Sequence, residues 1–267
     1  DIKIRVTVKE KWYIYPIPQF QLVDRNFNDW LYTYDASLDR VIYGMKFVDY
    51  NFSGRRDPLR LFLLNGYSRN ISMSYSAPYS NPSLTEGFTV GGGLTQNREI
   101  TYKTNYRNKQ LQFNNGSFVR NVYNIGGSYQ IRKGYYKKEV ILLSYSHHNV
   151  SDSVVSKYNP DYFSETKSSA GFPEVSYFKS YLHLDNINFP LEGKTWSWGV
   201  SKRGVSWKEK NSFVSLDGSY ARYITHTKNW YSSFQASGRL RIPFDQPFIN
   251  QRALGYEGFY LRGMEYY

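Results

Sequence analysis

The chain has 267 residues, 19% of them aromatic, and carries 34 Lys and Arg against 22 Asp and Glu, a formal charge of +12. The lack of cysteine excludes disulfides and thiolate metal sites, and the 27 Tyr, 17 Phe and 6 Trp exclude a disordered chain despite a mean hydropathy of −0.61. The excess of positive charge suits nucleic acid, an anionic lipid surface or a solvated interior, and does not by itself choose among them.

Residues 1–10, "DIKIRVTVKE", set Ile2, Ile4, Val6 and Val8 against charged neighbours. This is a strand pattern without the basic and apolar regions of a signal peptide, so the chain is expected to begin inside a longer protein or after processing. The next strand, 12–23, contains "WYIYPIPQFQL" with prolines at positions 16 and 18. Successive N–H groups of a strand point to alternate edges, so Pro16 and Pro18 strip two neighbouring donors from one and the same edge. Prolines so placed belong to an edge strand that pairs well on one side and poorly on the other. The alternative is that they mark the periplasmic start of the strand, where pairing stops anyway.

Period-two alternation then continues through 40–50, 58–65, 70–78, 86–106, 117–132, 137–148, 175–186, 194–204, 212–226 and 230–243. "NISMSYSA" opposes Ile71, Met73, Tyr75 and Ala77 to Ser72, Ser74 and Ser76, and "TWSWGVS" opposes Trp196, Trp198 and Val200 to Thr195, Ser197 and Ser201. The longest apolar run, "LRLFLLNGY", is broken by Arg60 and falls well short of the roughly 20 residues of a spanning helix. The inner faces of a soluble sandwich are mostly aliphatic and meet each other. Here one face is rich in Tyr, Trp and Phe near the strand ends, while the other holds Ser, Gly, Asn, Gln and Arg. That combination predicts an all-β, antiparallel transmembrane barrel of the outer-membrane type, apolar outside and polar within.

The connections alternate. Those after the first, fifth, seventh and eleventh strands are long, and those after the second, sixth, eighth and tenth are short, as expected of long outer loops and short periplasmic turns. Eleven is an odd count, whereas bacterial single-chain barrels have even numbers of strands. The chain is therefore expected to represent part of a larger barrel.

Several stretches in order carry a resemblance: "EKWYIYPIP", "DRNFNDW", "RVIYG" followed by "NFSGRRDPLRL", "YSAPY", "NFPLEGKTWSWG" with its turn residues Pro190 and Gly193, and "NQRALGYEGFYLRGMEYY". The chain resembles the BamA/TamA outer-membrane assembly proteins, also called bacterial surface antigens. The resemblance implies a barrel of about sixteen strands, of which about eleven are represented, preceded by periplasmic POTRA domains. Residues 1–10 then look like the end of a POTRA domain or the linker from it, and 11–267 like the N-terminal part of the barrel. In the family the sixth outer loop folds into the lumen on an Arg-Gly-aromatic motif. The match is Leu261-Arg262-Gly263 in the loop 244–267, followed by Met264 instead of an aromatic residue. The planar Arg262 guanidinium would be clamped there by carboxylates outside this sequence; the alternative is a solvated loop arginine.

The resemblance further implies a non-enzymatic protein of the bacterial outer membrane that assists the folding and insertion of outer-membrane proteins, with the seam at Pro16 and Pro18 as gate or template. The implied partners are outer-membrane lipids, client outer-membrane proteins, and periplasmic or lipoprotein subunits. The alternatives are a passive solute channel and a barrel that serves as a subunit or secretes a fused passenger.

Other chemistries find little footing. "EGKT" at 192–195 has Asn188 where a phosphate loop needs glycine, and the triple glycine at 91–93 lies within a strand. The adjacent His147 and His148 point to opposite faces and cannot readily share a metal. No catalytic, cofactor-binding or metal residue is expected. The basic residues fall on polar faces and outer loops, which argues against nucleic acid.

Overall fold

The computed structural model describes residues 5, 7–9, 11–23, 27–207 and 209–251. Alternating apolar and polar side chains draw the described residues into thirteen antiparallel strands, β1 (Ile14–Leu22), β2 (Val41–Asp49), β3 (Leu59–Gly66), β4 (Ser68–Ala77), β5 (Glu86–Asn97), β6 (Glu99–Thr104), β7 (Gln110–Asn114), β8 (Arg120–Lys133), β9 (Lys137–Val150), β10 (Ser169–Leu184), β11 (Gly193–Arg203), β12 (Phe213–Thr227) and β13 (Trp230–Ile242). Eleven form one sheet in the order β1-β2-β3-β4-β5-β8-β9-β10-β11-β12-β13, and β6 and β7 form a separate hairpin. The main sheet is a meander whose free edges are β1 and β13. Among the described residues no helix is long and apolar enough to cross a membrane.

The register sorts side chains onto two faces. Met73 of β4, Val90 of β5, Ile125 of β8, Leu143 of β9 and Val175 of β10 stand on one of them. Ile125 is 66% exposed, Met73 and Leu143 are each 58% exposed, and Val90 and Val175 are also exposed. Apolar side chains exposed side by side on five neighbouring strands form a contiguous patch of the kind that marks contact with lipid or another protein. The other face carries cross-strand hydroxyl and amide pairs, such as Ser197 with Ser219 at 2.7 Å, Thr89 with Ser76 at 3.0 Å and Asn70 with Thr95 at 3.2 Å. The greasy faces therefore do not meet in a dry centre.

The buried hydrophobic cluster lies at one end of the sheet, where the ends of β9 and β10 meet the connections. Ile100, Val119, Val150, Val154, Val155, Tyr162, Phe163 and Phe172 pack together where the connections 98–119 and 151–168 converge. The start of the segment after β13 joins them. Phe248 and Ile249 donate their N–H groups to the carbonyls of Asp161 and Tyr162, and both side chains pack against the cluster. These connections and 23–40 lie at one end of the sheet. Shorter turns, 50–58, 78–85, 134–136, 185–192 and 228–229, lie at the other.

Two strand boundaries and one connection differ from expectation. The fifth strand was expected to run to residue 106, but it leaves the sheet after Asn97, and Glu99–Thr104 pairs with Gln110–Asn114. The alternation persists while the partner changes, because Ile100 turns into the cap cluster. The eighth strand of the sheet begins at Ser169 and not near 175, despite Gly171 and Pro173. Gly204 donates its N–H to the Pro173 carbonyl at 2.8 Å, so the missing N–H of Pro173 faces the chain just past the end of β11, where no ladder bond is lost. The connection 23–40 also contains short helical turns at Asp29–Thr33 and Leu38–Arg40.

Candidate functional site

Two regions of this sheet combine unusual backbone or charge geometry with a position where another molecule or segment can dock. One is the free edge of β1. Pro16 stands opposite Phe47 and Pro18 opposite Met45. Tyr50 donates its N–H to the Tyr13 carbonyl at 3.0 Å, and Val23 donates to Arg40 at 3.2 Å. Hydrogen-bonded and non-bonded pairs alternate in an antiparallel ladder, so these contacts make Tyr13, Tyr15, Ile17 and Gln19 the bonded residues and leave both prolines in non-bonded pairs. Their absent N–H groups therefore aim at the free edge, and pairing with β2 is intact. Ile14, Pro16, Pro18 and Phe20 share the apolar face with Met45 and Phe47, and Tyr15, Ile17 and Gln19 the polar face.

The second region is on the polar face below the loop cap. Arg203, at the end of β11, faces Glu174 of β10. Its Nε donates to Glu174 Oε2 at 2.8 Å, and a second guanidinium nitrogen lies 2.7 Å from the same oxygen. The third guanidinium nitrogen donates to the Asn250 side-chain oxygen at 3.3 Å. Arg241 of β13 donates to the Asn250 carbonyl, and Asn250 in turn donates to the Gln246 side chain at 3.0 Å. Phe213 lies between the two guanidinium groups, 5.2 Å from that of Arg203 and 5.0 Å from that of Arg241. The chain after β13 is thus held across the polar face by two arginines, with Gln246 and Asn250 buried. A cavity of about 640 Å³ opens beside it, lined by Arg120, His148, Arg203, Glu99 and Tyr162 among others. Burial pushes the Tyr162 phenol up to about 12.

Pro190 lies in the connection 185–192, and Gly193 is the first residue of β11. Asp185 accepts the N–H groups of Leu191 and Glu192 at 3.1 Å, and Asn186 accepts from Asn188 at 2.9 Å, which folds the chain around Pro190. Gly193 has φ +122°, and a Cβ there would run into the His183 carbonyl. The loop motif Leu261-Arg262-Gly263 lies outside the described residues. The adjacent histidines diverge as expected. His147 lies across from Tyr123 on the apolar face, while His148 turns to the polar face and packs edge-on against Phe172 at 5.0 Å.

The Glu174–Arg203–Asn250 anchor was not evident from the sequence. Glu174 falls just before the expected strand 175–186, and its partner lies 29 residues away on another strand. Alternation counted back from Ser176 would have put Glu174 on the polar face, but only the register brings Arg203 opposite.

No family model matches the chain, and no curated protein matches it. Among solved structures, the fold is similar to the crystal structure of BamA from Haemophilus ducreyi lacking POTRA domains 1-3, with a TM-score of 0.56 and 15% identity over 83% of this chain and 43% of that one. The chain therefore spans less than half the length of that structure. At this identity the likeness is one of fold: an antiparallel β-barrel wall of eleven strands, with the sheet unclosed.

Proposed function

We propose that the chain is part of an integral outer-membrane barrel of the BamA/TamA kind, which assists the folding and insertion of other outer-membrane proteins through the free edge of its first strand. The observation that carries this reading is the aim of Pro16 and Pro18. Both withhold N–H groups from the free edge, while the odd-numbered residues of the strand stay bonded to β2. An edge so made is held open without weakening the wall behind it. A client strand would find on it carbonyls without the matching donors, and so form a pairing that can later be released. The exposed aliphatic belt fits a lipid environment, where unpaired backbone carbonyls are costly, so the edge favours any strand that arrives.

Within this reading, Pro190 and Gly193 close a periplasmic turn. Residues 244–267 with Leu261, Arg262 and Gly263 form the inward loop, and the anchoring of Asn250 by Arg203 and Arg241 starts that loop on its way. Outer-membrane lipids, unfolded client barrels and periplasmic or lipoprotein subunits are the partners. The chemistry is non-enzymatic.

The test is reconstitution of the full-length protein in liposomes with an unfolded client barrel. Faster folding of the client than in empty liposomes supports the reading, and equal rates overturn it. Planar-bilayer conductance separates it from a passive solute channel. A plugged assembly barrel gives small, erratic currents, and a channel gives large, steady ones.

A further inference from the structure

On the apolar face near the short-turn end, rings and cations line up across three adjacent strands. Val200, Trp198, Trp196 and Lys194 succeed one another on β11, Leu216, Gly218, Tyr220, Arg222 and Ile224 on β12, and Lys179, Tyr181 and His183 on β10, where Lys179 is paired with Glu139. The register aligns these in rows. Tyr181, Trp196 and Tyr220 are direct neighbours, and the next row is His183, Lys194 and Arg222. Tyr181 and Trp196 stack with ring centroids 5.8 Å apart and planes within 13°, and the Lys194 ammonium lies 5.9 Å from the Tyr181 ring. Alternate residues of a strand are roughly 6.6 Å apart, so the cations stand one such step beyond the rings.

The order aliphatic, aromatic, cationic is that of acyl chain, carbonyl region and phosphate in one leaflet of a bilayer. The cation row opens into a groove of about 510 Å³ lined by His183, Lys194, Tyr220 and Arg222. Two carboxylates also line the groove: Asp185, which is committed to the turn through the N–H groups of Leu191 and Glu192, and Glu192 itself. The neighbouring turn adds charge of the same sign. Lys133 lies across from Lys137, and Glu139 is shared between Lys133 at 3.0 Å and Lys179 at 3.1 Å. At the opposite end the apolar face also carries cations, but without a groove between them: Arg69 is linked to Gln96 and Asn121, and Lys202 of β11 lies over the Trp207 ring at 4.2 Å.

We infer that this groove binds the phosphate of an anionic glycerophospholipid, with Lys194 and Arg222 as its charged contacts and its acyl chains laid over Trp196, Tyr220 and the aliphatic belt. The inference rests on the proposed membrane orientation, in which the short turns face the phospholipid leaflet. The full chain is purified in detergent, stripped of lipid and titrated with phosphatidylglycerol or phosphatidylcholine under native mass spectrometry, in parallel with insertion into phosphatidylcholine vesicles. Phosphatidylglycerol should be retained preferentially. The double variant Lys194→Gln, Arg222→Gln should lose that preference roughly tenfold, whereas Arg107→Gln in the hairpin at the other end should keep it. Equal retention of the two lipids by a protein that inserts normally overturns the site alone, as does preferential capture of lipid A phosphates. Failure to insert into any vesicle overturns the membrane reading and the site with it. Should the double variant not fold, Lys194→Gln and Arg222→Gln tested singly must each weaken phosphatidylglycerol retention, and an unchanged value for both also overturns the site.

Discussion

Pro18 lies directly opposite Met45 in a pair that exchanges no backbone hydrogen bonds, and Pro16 repeats the arrangement opposite Phe47. Replacing both with valine leaves the ladder to β2 unchanged and adds two donors to the free edge. Each new bond contributes about 0.5–1.5 kcal/mol. The double variant should hold an arriving strand longer and slow client release in the liposome assay, with disulfide cross-links from the edge to the client persisting. Unaltered insertion rates and cross-link lifetimes would remove the free edge from the mechanism.

Asn250 is the buried hinge of the anchor, reached by Arg203 and Arg241 together. Asn250→Ala should free the segment after β13 at a local cost of about 1–3 kcal/mol. Hydrogen exchange reads it directly. The amides of Phe248 and Ile249, which donate to Asp161 and Tyr162, should exchange faster, while amides in β8 and β9 keep their protection. Uniform loss of protection would mean that the anchor supports the whole wall and not this segment.

Asp57 closes the turn between β2 and β3. It is 2% exposed and accepts N–H groups from Ser53 at 3.1 Å and Arg55 at 3.2 Å and the Tyr75 hydroxyl at 2.6 Å. Burial opposes its charge, but the hydrogen bonds from Ser53 and Tyr75 outweigh it and hold the carboxyl well below the usual carboxylate range. A lowered folded-state pKa means the contribution is complete above about pH 4 and fades only as pH falls further toward the folded value. Asp57→Ala should cost about 1–3 kcal/mol in urea unfolding at pH 7. The difference from the parent should shrink as the pH is taken below 4, and a gap that widens there would contradict the assignment.

The loop cap has its own core, centred on the fully buried Phe163, which stacks edge-on with Tyr162 at 4.9 Å. Phe163→Ala should cost about 3–5 kcal/mol. It should open connections 98–119 and 151–168 to protease while the sheet stays folded. Tyr162 offers a second readout, because its raised pKa makes the cap's contribution complete below about pH 10 and declining as pH rises toward about 12. Ultraviolet titration should contain a late-ionising component, and Phe163→Ala should reduce it by about one tyrosine.

The strands themselves were legible because period two is a local property. A residue's neighbours at i±2 show which face it shares, so the faces of β4, β8, β11 and β13 could be assigned without knowing what any strand pairs with. The two N–H groups missing from one side of β1 were equally readable, since a missing N–H is covalent and its direction follows from strand geometry. Where Gly171 and Pro173 interrupt the pattern the reading stopped short, and Glu174 was lost with it. A proline is excluded from a strand only where a neighbour awaits its donor, and the length of β11, which decides this, is not a local fact.

By itself, then, the sequence determined the alternation, the two contrasting faces, the tight turn at Gly193 and the crippled edge of the first strand. All of these are written in side-chain chemistry within a few residues. The tertiary structure alone decided which strands are neighbours, that residues 99–114 leave the wall to form a hairpin under a hydrophobic cap, and that Arg203 meets both Glu174 and Asn250. Such contacts join residues 29 and 47 positions apart, and their partners are chosen by register and loop packing, which no local period encodes.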